Sequence, residues 1–385
     1  MFNRIPFCLL LALSISTSCQ EVKPKAAPET KVEVEPFVEP EVSFLFMGDF
    51  MMHDTQINAA RDSVGGYEFD TYFEYTHSMI NGVDFAIANL EVTLAGPPHK
   101  GYPQFCAPDE YARAIQRAGI DVLTTANNHS NDRRAKGLIR TINYLDSLNM
   151  PHLGTYVDST ERSTNYPLVI EKDGIRVALL NFTYGTNGLV TKLPTIVNMF
   201  DEEEMLADLE KAKSLEVDKI IAIAHWGAEY KSFPDKFQKS WGEWLFDNGA
   251  DIVIGGHPHW VQPIEYVGEK LIVWSLGNII SNQRRVHTDG GSSLQFSLYR
   301  DSIGEVHFRD VGFHLHWVYV HKQNDKRIYN ILPITKAEAL QLEMTEKSKG
   351  DLETFINNER TLYIEHNINV PEFQYNRESD SYYLD

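Results

Sequence analysis

Two imidazoles flank a proline in Gly255-Gly256-His257-Pro258-His259-Trp260, directly after the apolar run Ile252-Val253-Ile254. The paired glycines let the backbone turn where a Cβ would clash, and the proline disfavours a regular strand, so this stretch reads as a loop at a strand end. From a loop, two imidazoles can reach two adjacent metal ions; alone, they are equally two ordinary loop histidines. The same placement recurs elsewhere. Asp49, Glu91, Asn128-His129 and His225 each close an apolar stretch. Taken singly, an Asp or Asn behind a strand is a turn former or a helix N-cap. Five such ends together point to a site. Carboxylates and imidazoles suit Mn, Fe or Zn, a carboxylate can bridge two ions, and the lack of a cysteine cluster disfavours a structural zinc site. A pair of divalent ions activates water while polarising a phosphoryl oxygen.

Those residues need strands to carry them. Apolar runs at 42–47, 83–90, 120–126, 219–224 and 252–254 read as strands, with a hairpin over 168–171 and 175–182 around Asp173-Gly174. Between them, apolar residues recur at helical spacing: Phe69 to Ile80, Tyr111 to Ala118, Leu138 to Leu148, Met205 to Ala212 and Phe237 to Leu245. Strands alternating with helices predict a layered α/β domain. Beyond Asn278 the pattern changes to strands, at 294–299, 305–321 and 327–334, followed by a helical stretch over 335–366 and an irregular tail after Pro371.

The motifs Gly48-Asp49, Asn89-Leu90-Glu91, the run from Ala126 to Asp132, His225-Trp226-Gly227, Gly256-His257-Pro258-His259 and Ser275-Leu276-Gly277-Asn278 resemble, in order, those of the CapA family of capsule and poly-γ-glutamate synthesis proteins. That family is similar to the calcineurin-like metallophosphoesterases. The resemblance covers roughly residues 43–283 and implies an α/β fold in which a two-sheet sandwich is flanked by helices. A mostly β C-terminal extension and terminal helices would follow it.

The resemblance further implies Asp49, Glu91 and His259 at one metal, and Glu91, Asn128, His225 and His257 at the other. His129 would be the acid near the scissile bond, with Asp132 the second catalytic candidate. Two departures stand out. Glu91 would bridge where phosphoesterases generally use Asp, and Met51 occupies the position of a ligand His, leaving His53 as the nearest candidate. The cofactor is therefore expected to be two divalent ions (Mn, Fe or Zn), or one if the altered site stays empty. Arg133, Lys231 and Arg284 are candidates to bind an anionic substrate from a basic rim; solvated surface charge is the plain alternative.

The chain's address is legible at its N-terminus. One charge at Arg4, an apolar run over 5–15 and small residues before Cys19 read as a signal peptide over 1–18. A Cys at that point resembles the bacterial lipoprotein box, so Cys19 is expected to carry lipid; ordinary secretion is the alternative. Residues 19–41, rich in Pro and Glu, read as a tether, 42–334 as the CapA-like domain, and 335–385 as a helical and irregular C-terminal segment. Only Cys106 then remains in the folded part, so no internal disulfide is expected. With 385 residues and 43% hydrophobic content the chain can bury a large core, and its net charge of −19 argues against nucleic acid as a partner.

Three functions are compatible with these residues at a bacterial cell envelope. One is a metal-dependent hydrolase of a phosphoester-type anionic bond. Another is a non-catalytic polymer-binding or export component working with other capsule-synthesis proteins. The third is a plain envelope-binding lipoprotein.

Overall fold

The computed structural model describes residues 39–385; the expected signal peptide, Cys19 and nearly all of the expected tether lie outside them. Strand β1 (Glu41–Phe50) is central to the first sheet. It is followed in the chain by β2 (Phe85–Leu90), β3 (Val122–Thr124) and β4 (His152–Leu153). The second sheet contains β5 (Leu168–Lys172), β6 (Ile175–Thr183), β7 (Lys219–His225), β8 (Ile252–Gly256), β9 (Val261–Val267) and β10 (Lys270–Leu276). The chain then returns to the first sheet with β11 (Asn278–Ile280), β12 (Gly290–Arg300), β13 (Val306–Gln323) and β14 (Lys326–Pro333). Sheet order is β14-β13-β12-β1-β2-β3-β4, with β11 also pairing β1, and β9-β10-β8-β7-β6-β5.

The apolar runs follow from burial on both faces. On β1, Phe44 and Phe46 pack into the core that also holds Ile221, Ile223 and Val253 of the second sheet. The alternate residues Leu45 and Met47 join Phe69 and Phe73, Tyr111 and Ile115 of α2 (Asp109–Ala118) and Leu145 of α3 (Arg134–Ser147), the helical layer over the first sheet's other face. Helices α4 (Glu202–Ser214) and α5 (Lys236–Asp247) contribute Met205, Leu209 and Leu245 to the first of these cores. The expected α/β two-sheet sandwich flanked by helices is the architecture observed. Among the described residues, no helix is long and apolar enough to cross a membrane.

Four features differ from the periodicity. A short helix α1 (Asp54–Ala60) follows His53, closed by a capping box with Gln56. The strands after Asn278 extend the first sheet, because β12 pairs antiparallel with β1 from Glu41↔Tyr299 to Met47↔Ser293. The tail after Pro371 is partly ordered as two short antiparallel strands, Gln374–Asn376 and Ser381–Tyr383, held by the cross-strand pair Tyr375↔Tyr382 with ring centroids 5.2 Å apart. The helical stretch over 335–366 is divided, its larger part being α6 (Glu346–His366).

The two sheets meet closely at Gly48. Asp49 N–H donates to Gly277 O (2.9 Å), and a Cβ on Gly48 would lie 2.2 Å from that same oxygen. Backbone cannot yield as a side chain does, so Gly48→Ala is expected to destabilise the protein by about 2–4 kcal/mol, measurable as a lowered denaturation midpoint.

Candidate metal centre

Both sheets deliver polar residues from the carboxyl ends of parallel strands, the edge at which open α/β sheets hold ligands. In the first sheet β1 and β2 run parallel, with Asp49 opposite Asn89. Asn89 Nδ2 donates to Asp49 Oδ1 (2.8 Å), and Glu91 is the first residue beyond β2. In the second sheet β7 and β8 run parallel, with His225 opposite Gly256. A Cβ on Gly256 would stand 3.0 Å from Asp49 Oδ1, so a glycine here lets the sheets close over the carboxylate. The loop then bends through residues that rarely adopt left-handed backbone: His257 has φ +99° and His259 φ +59°. Such strain persists where the surroundings enforce it and clusters at functional sites.

Two sets of side chains result. Asp49, Glu91 and His259 offer ligand atoms within 4.8 Å of one another; so do Glu91, His225 and His257, and Glu91 belongs to both. His259 Nδ1 is 3.5 Å from Asp49 Oδ2, and His225 Nε2 is 3.6 Å from Glu91 Oε1. Asn128 Oδ1 lies 2.9 Å from His225 Nε2, on the same side as the second set. Asn278 Oδ1, 3.0 Å from His259 Nδ1, steadies that ring and is itself fixed by donation from Asn278 Nδ2 to Thr288 O (2.9 Å).

The electrostatics fit cations between these groups. Glu91 is fully buried, yet neither of its oxygens accepts a hydrogen bond, and His257 Nδ1 is likewise buried and unpartnered. Burial, followed by the neighbouring Asp49 charge, pushes the Glu91 carboxyl well above the usual carboxylate range. Burial would raise Asp49 too, but hydrogen bonds, led by the one from His259 and including that from Asn89, hold Asp49 below its ordinary value. Burial depresses His225 to about 3 and His257 well below its usual range, keeping both imidazoles neutral with a lone pair for a metal. Carboxylates and neutral imidazoles around one common carboxylate form a donor set suited to borderline divalent metal.

Beside this centre, His129 Nδ1 is 2.7 Å from Asp132 Oδ2, which also accepts from Phe105 N–H (2.6 Å). An oxygen that already accepts one bond fixes Nδ1 as the protonated ring nitrogen, leaving Nε2 to exchange a proton. The Phe105 ring sits edge-on to His129 with centroids 4.5 Å apart. His129 lines two adjoining cavities of about 360 and 320 Å³, one shared with His53, His259 and Arg284, the other with Asn128, Asp132 and Asn187.

The remaining candidates are placed differently. His53 lines the larger of these cavities but belongs to neither ligand set, since its Nδ1 accepts from Asn282 N–H (3.2 Å) and its backbone caps α1. Met51 is buried in the core under the first sheet. Arg284 lines the cleft, whereas Lys231 and Arg133 line neither cavity; Lys231 is exposed and Arg133 half-buried. Cys106 is buried, its thiol donating to Gly96 O (3.1 Å).

Sequence reasoning missed several cleft residues. Asn187 Oδ1 accepts from Asn128 Nδ2 (3.3 Å), Tyr184 packs on the His257 ring at 4.5 Å, and Glu229 and Tyr102 line both cavities. The turn signal Gly185-Thr186-Asn187-Gly188 could have marked the first; nothing in the local sequence marks the others.

Residues 43–283 match the family described as "Bacterial capsule synthesis protein PGA_cap". The chain belongs to this family. Among curated proteins, this PGA_cap chain is 27% identical over 270 residues to the capsule biosynthesis protein CapA of Bacillus anthracis, an alignment covering 67% of the chain and 64% of that relative. It is 25% identical over 324 residues to the PGA biosynthesis protein CapA of Bacillus subtilis (strain 168), covering 82% and 80%. The chain thus spans slightly less than two thirds of the first relative's length. Among solved structures, a Staphylococcus aureus protein assigned as a 5′-nucleotidase superposes with TM-score 0.47 at 14% identity, over 82% of this chain and 58% of that one. At that level the likeness says nothing about the reaction. The match to PGA_cap ends at residue 283, so Arg284, Arg285, His287 and α6 lie beyond it.

Proposed function

We propose that this PGA_cap protein is a metal-dependent hydrolase of an anionic, phosphoester-type bond in capsule or poly-γ-glutamate metabolism, held at the cell envelope by lipid on Cys19. The observation that carries this reading is Glu91: a fully buried carboxylate with no hydrogen-bond donor, common to both ligand sets. Asp49, Glu91 and His259 would hold one ion, and Glu91, Asn128, His225 and His257 the other. Bound there, the ions supply a Lewis acid for the substrate's anionic oxygen and acidify a water.

The chain's own residues then position and transfer protons. Asp132 orients His129 through Nδ1–H, and His129, once Nε2 has also taken a proton from solvent, passes that proton to the leaving oxygen and returns to the neutral ring. Arg284 and Arg285 on the cleft wall attract the anionic substrate. The module that does this is proposed to be residues 42–334, with 19–41 as its tether.

Burial of Met51 at an expected ligand position favours a second reading, in which the cleft binds polymer without cleaving it. The two separate cleanly. Incubation with phosphodiesters and γ-glutamyl polymers in the presence of Mn²⁺ is expected to give products, with at least a roughly hundredfold fall after chelation. Polymer binding with no turnover, unaltered by chelation, establishes the second reading instead.

A further inference from the structure

Helix α6 carries a buried carboxylate that its packing does not require. Its buried residues Phe355, Glu359 and Tyr363 recur at every fourth position, the spacing of one helix face. An apolar side chain at 359 would complete that face, whereas a carboxylate there must be desolvated and is tolerated only when paired. The partner is specific. Glu359 is 2% exposed, and His287 Nδ1–H donates to its Oε1 at 2.5 Å. His287 lies between β11 and β12 with φ +70°, a left-handed conformation that persists where contacts enforce it.

From this point two contacts run to His259. The His287 ring packs on Trp260, the residue after His259, with centroids 4.5 Å apart, and Trp260 O accepts from Ser275 Oγ (2.8 Å). The neighbouring Thr288 O accepts from Asn278 Nδ2 (2.9 Å), which turns Asn278 Oδ1 toward His259 Nδ1 (3.0 Å). The turn that carries both residues is closed on itself, since Thr288 N–H and Oγ1–H donate to Arg285 O at 3.0 and 2.9 Å. A displacement of His287 therefore reaches His259 through its chain neighbour and through the amide that orients its ring. His225, in the second ligand set, is held instead by β7 and by Asn128 (2.9 Å).

We propose that Glu359 is a positioning residue for the metal centre: through His287 it holds Trp260 and the 285–288 turn, and so fixes the His259 imidazole within the Asp49, Glu91 and His259 set. This rests on the reading above that the two sets hold ions. Glu359 and His287 lie beyond residue 283, so a segment outside the family match sets the affinity of one ion without touching it. Removing an outer partner of this kind lowers metal affinity by about 10- to 100-fold.

Titration calorimetry of the metal-free protein with Mn²⁺ measures the two affinities, and His259→Ala and His225→Ala identify which ion belongs to which set. Glu359→Ala and His287→Ala are each expected to weaken the ion of the His259 set about tenfold or more and the other less than about threefold. Glu359→Gln, whose amide oxygen still accepts from His287, keeps the affinity within about threefold of the unmodified protein. The double Ala variant binds no more than about twofold more weakly than the weaker single one, because both changes act along one route. Tyr363→Phe removes a different anchor of α6, the bond from its hydroxyl to Ser292 Oγ (2.7 Å); it lowers the melting temperature and leaves both affinities within about twofold. Where Glu359→Ala gives no cooperative melting, His287→Ala decides. Equal weakening of both ions, or unchanged affinities beside a lowered melting temperature, overturns the positioning role and leaves the proposed function standing. Unmodified protein that takes up no Mn²⁺ overturns both.

Discussion

Under the proposed function, replacing His129 by Gln is expected to lower kcat for a phosphodiester by about 10²- to 10⁴-fold while metal content stays at the level of the unmodified protein, since the proposed proton transfer to the leaving group would be lost and the ligands are intact. His129 donates no ligand atom to either carboxylate–imidazole set, which is why the two effects separate. Asp132→Asn is expected to give a smaller fall. The asparagine can still accept from Phe105 N–H, but it no longer favours the tautomer that leaves Nε2 in position to act. Rates with a substrate whose leaving group needs no protonation, such as p-nitrophenolate, decide the role: a proton donor's loss is largely masked there, and an equal fall on both substrates contradicts it.

The second large effect belongs to Glu91, and it has opposite signs with and without metal. In metal-free protein a buried carboxylate beside Asp49, with no donor to satisfy it, opposes folding. Its folded pKa lies above the ordinary value of 4.5, so its favourable contribution to metal-free stability is present in full only below 4.5 and is lost as pH rises from there through the raised folded value. Glu91→Gln removes that dependence and is expected to raise the melting temperature of chelator-treated protein at pH 7 by about 2–5 °C. With Mn²⁺ added, the unmodified protein is expected to gain stability, as an ion held only by the folded state would provide, and the Gln variant to gain little. Displacing the proton from Glu91 also makes metal binding release protons, detectable by calorimetry in buffers of different ionisation enthalpy. A Gln variant that is no more stable without metal, and still stabilised by Mn²⁺, contradicts the role given to Glu91.

Much of this centre was legible because its strands are buried on both faces. Residues 44–47 and 252–254 are continuous apolar runs for that reason, and a polar residue ending such a run stands out. Asp49, Glu91, His225, His257 and His259 could therefore be singled out before any geometry. What periodicity could not give was the pairing of elements distant in sequence. β12 joins β1 across some 250 residues, and Asn278 reaches His259 only because Gly48 and Gly277 bring the two sheets together. Loop residues were the least legible. Asn187, Glu229 and Tyr230 reach the cleft through turns whose directions are set by tertiary packing. His53 was selected by proximity in sequence to the missing His, but the chain turns into α1 at that point, and its ring nitrogen is used by Asn282.

In the proposed function two ions share Glu91, and the other roles follow from that sharing. Elemental analysis of protein purified without chelator or added metal, before and after soaking in Mn²⁺, tests it most directly. About two equivalents of Mn, Fe or Zn per chain, falling to about one or less in Glu91→Gln, is the result this account predicts. Less than about a tenth of an equivalent after soaking contradicts it and leaves the cleft a polymer-binding surface.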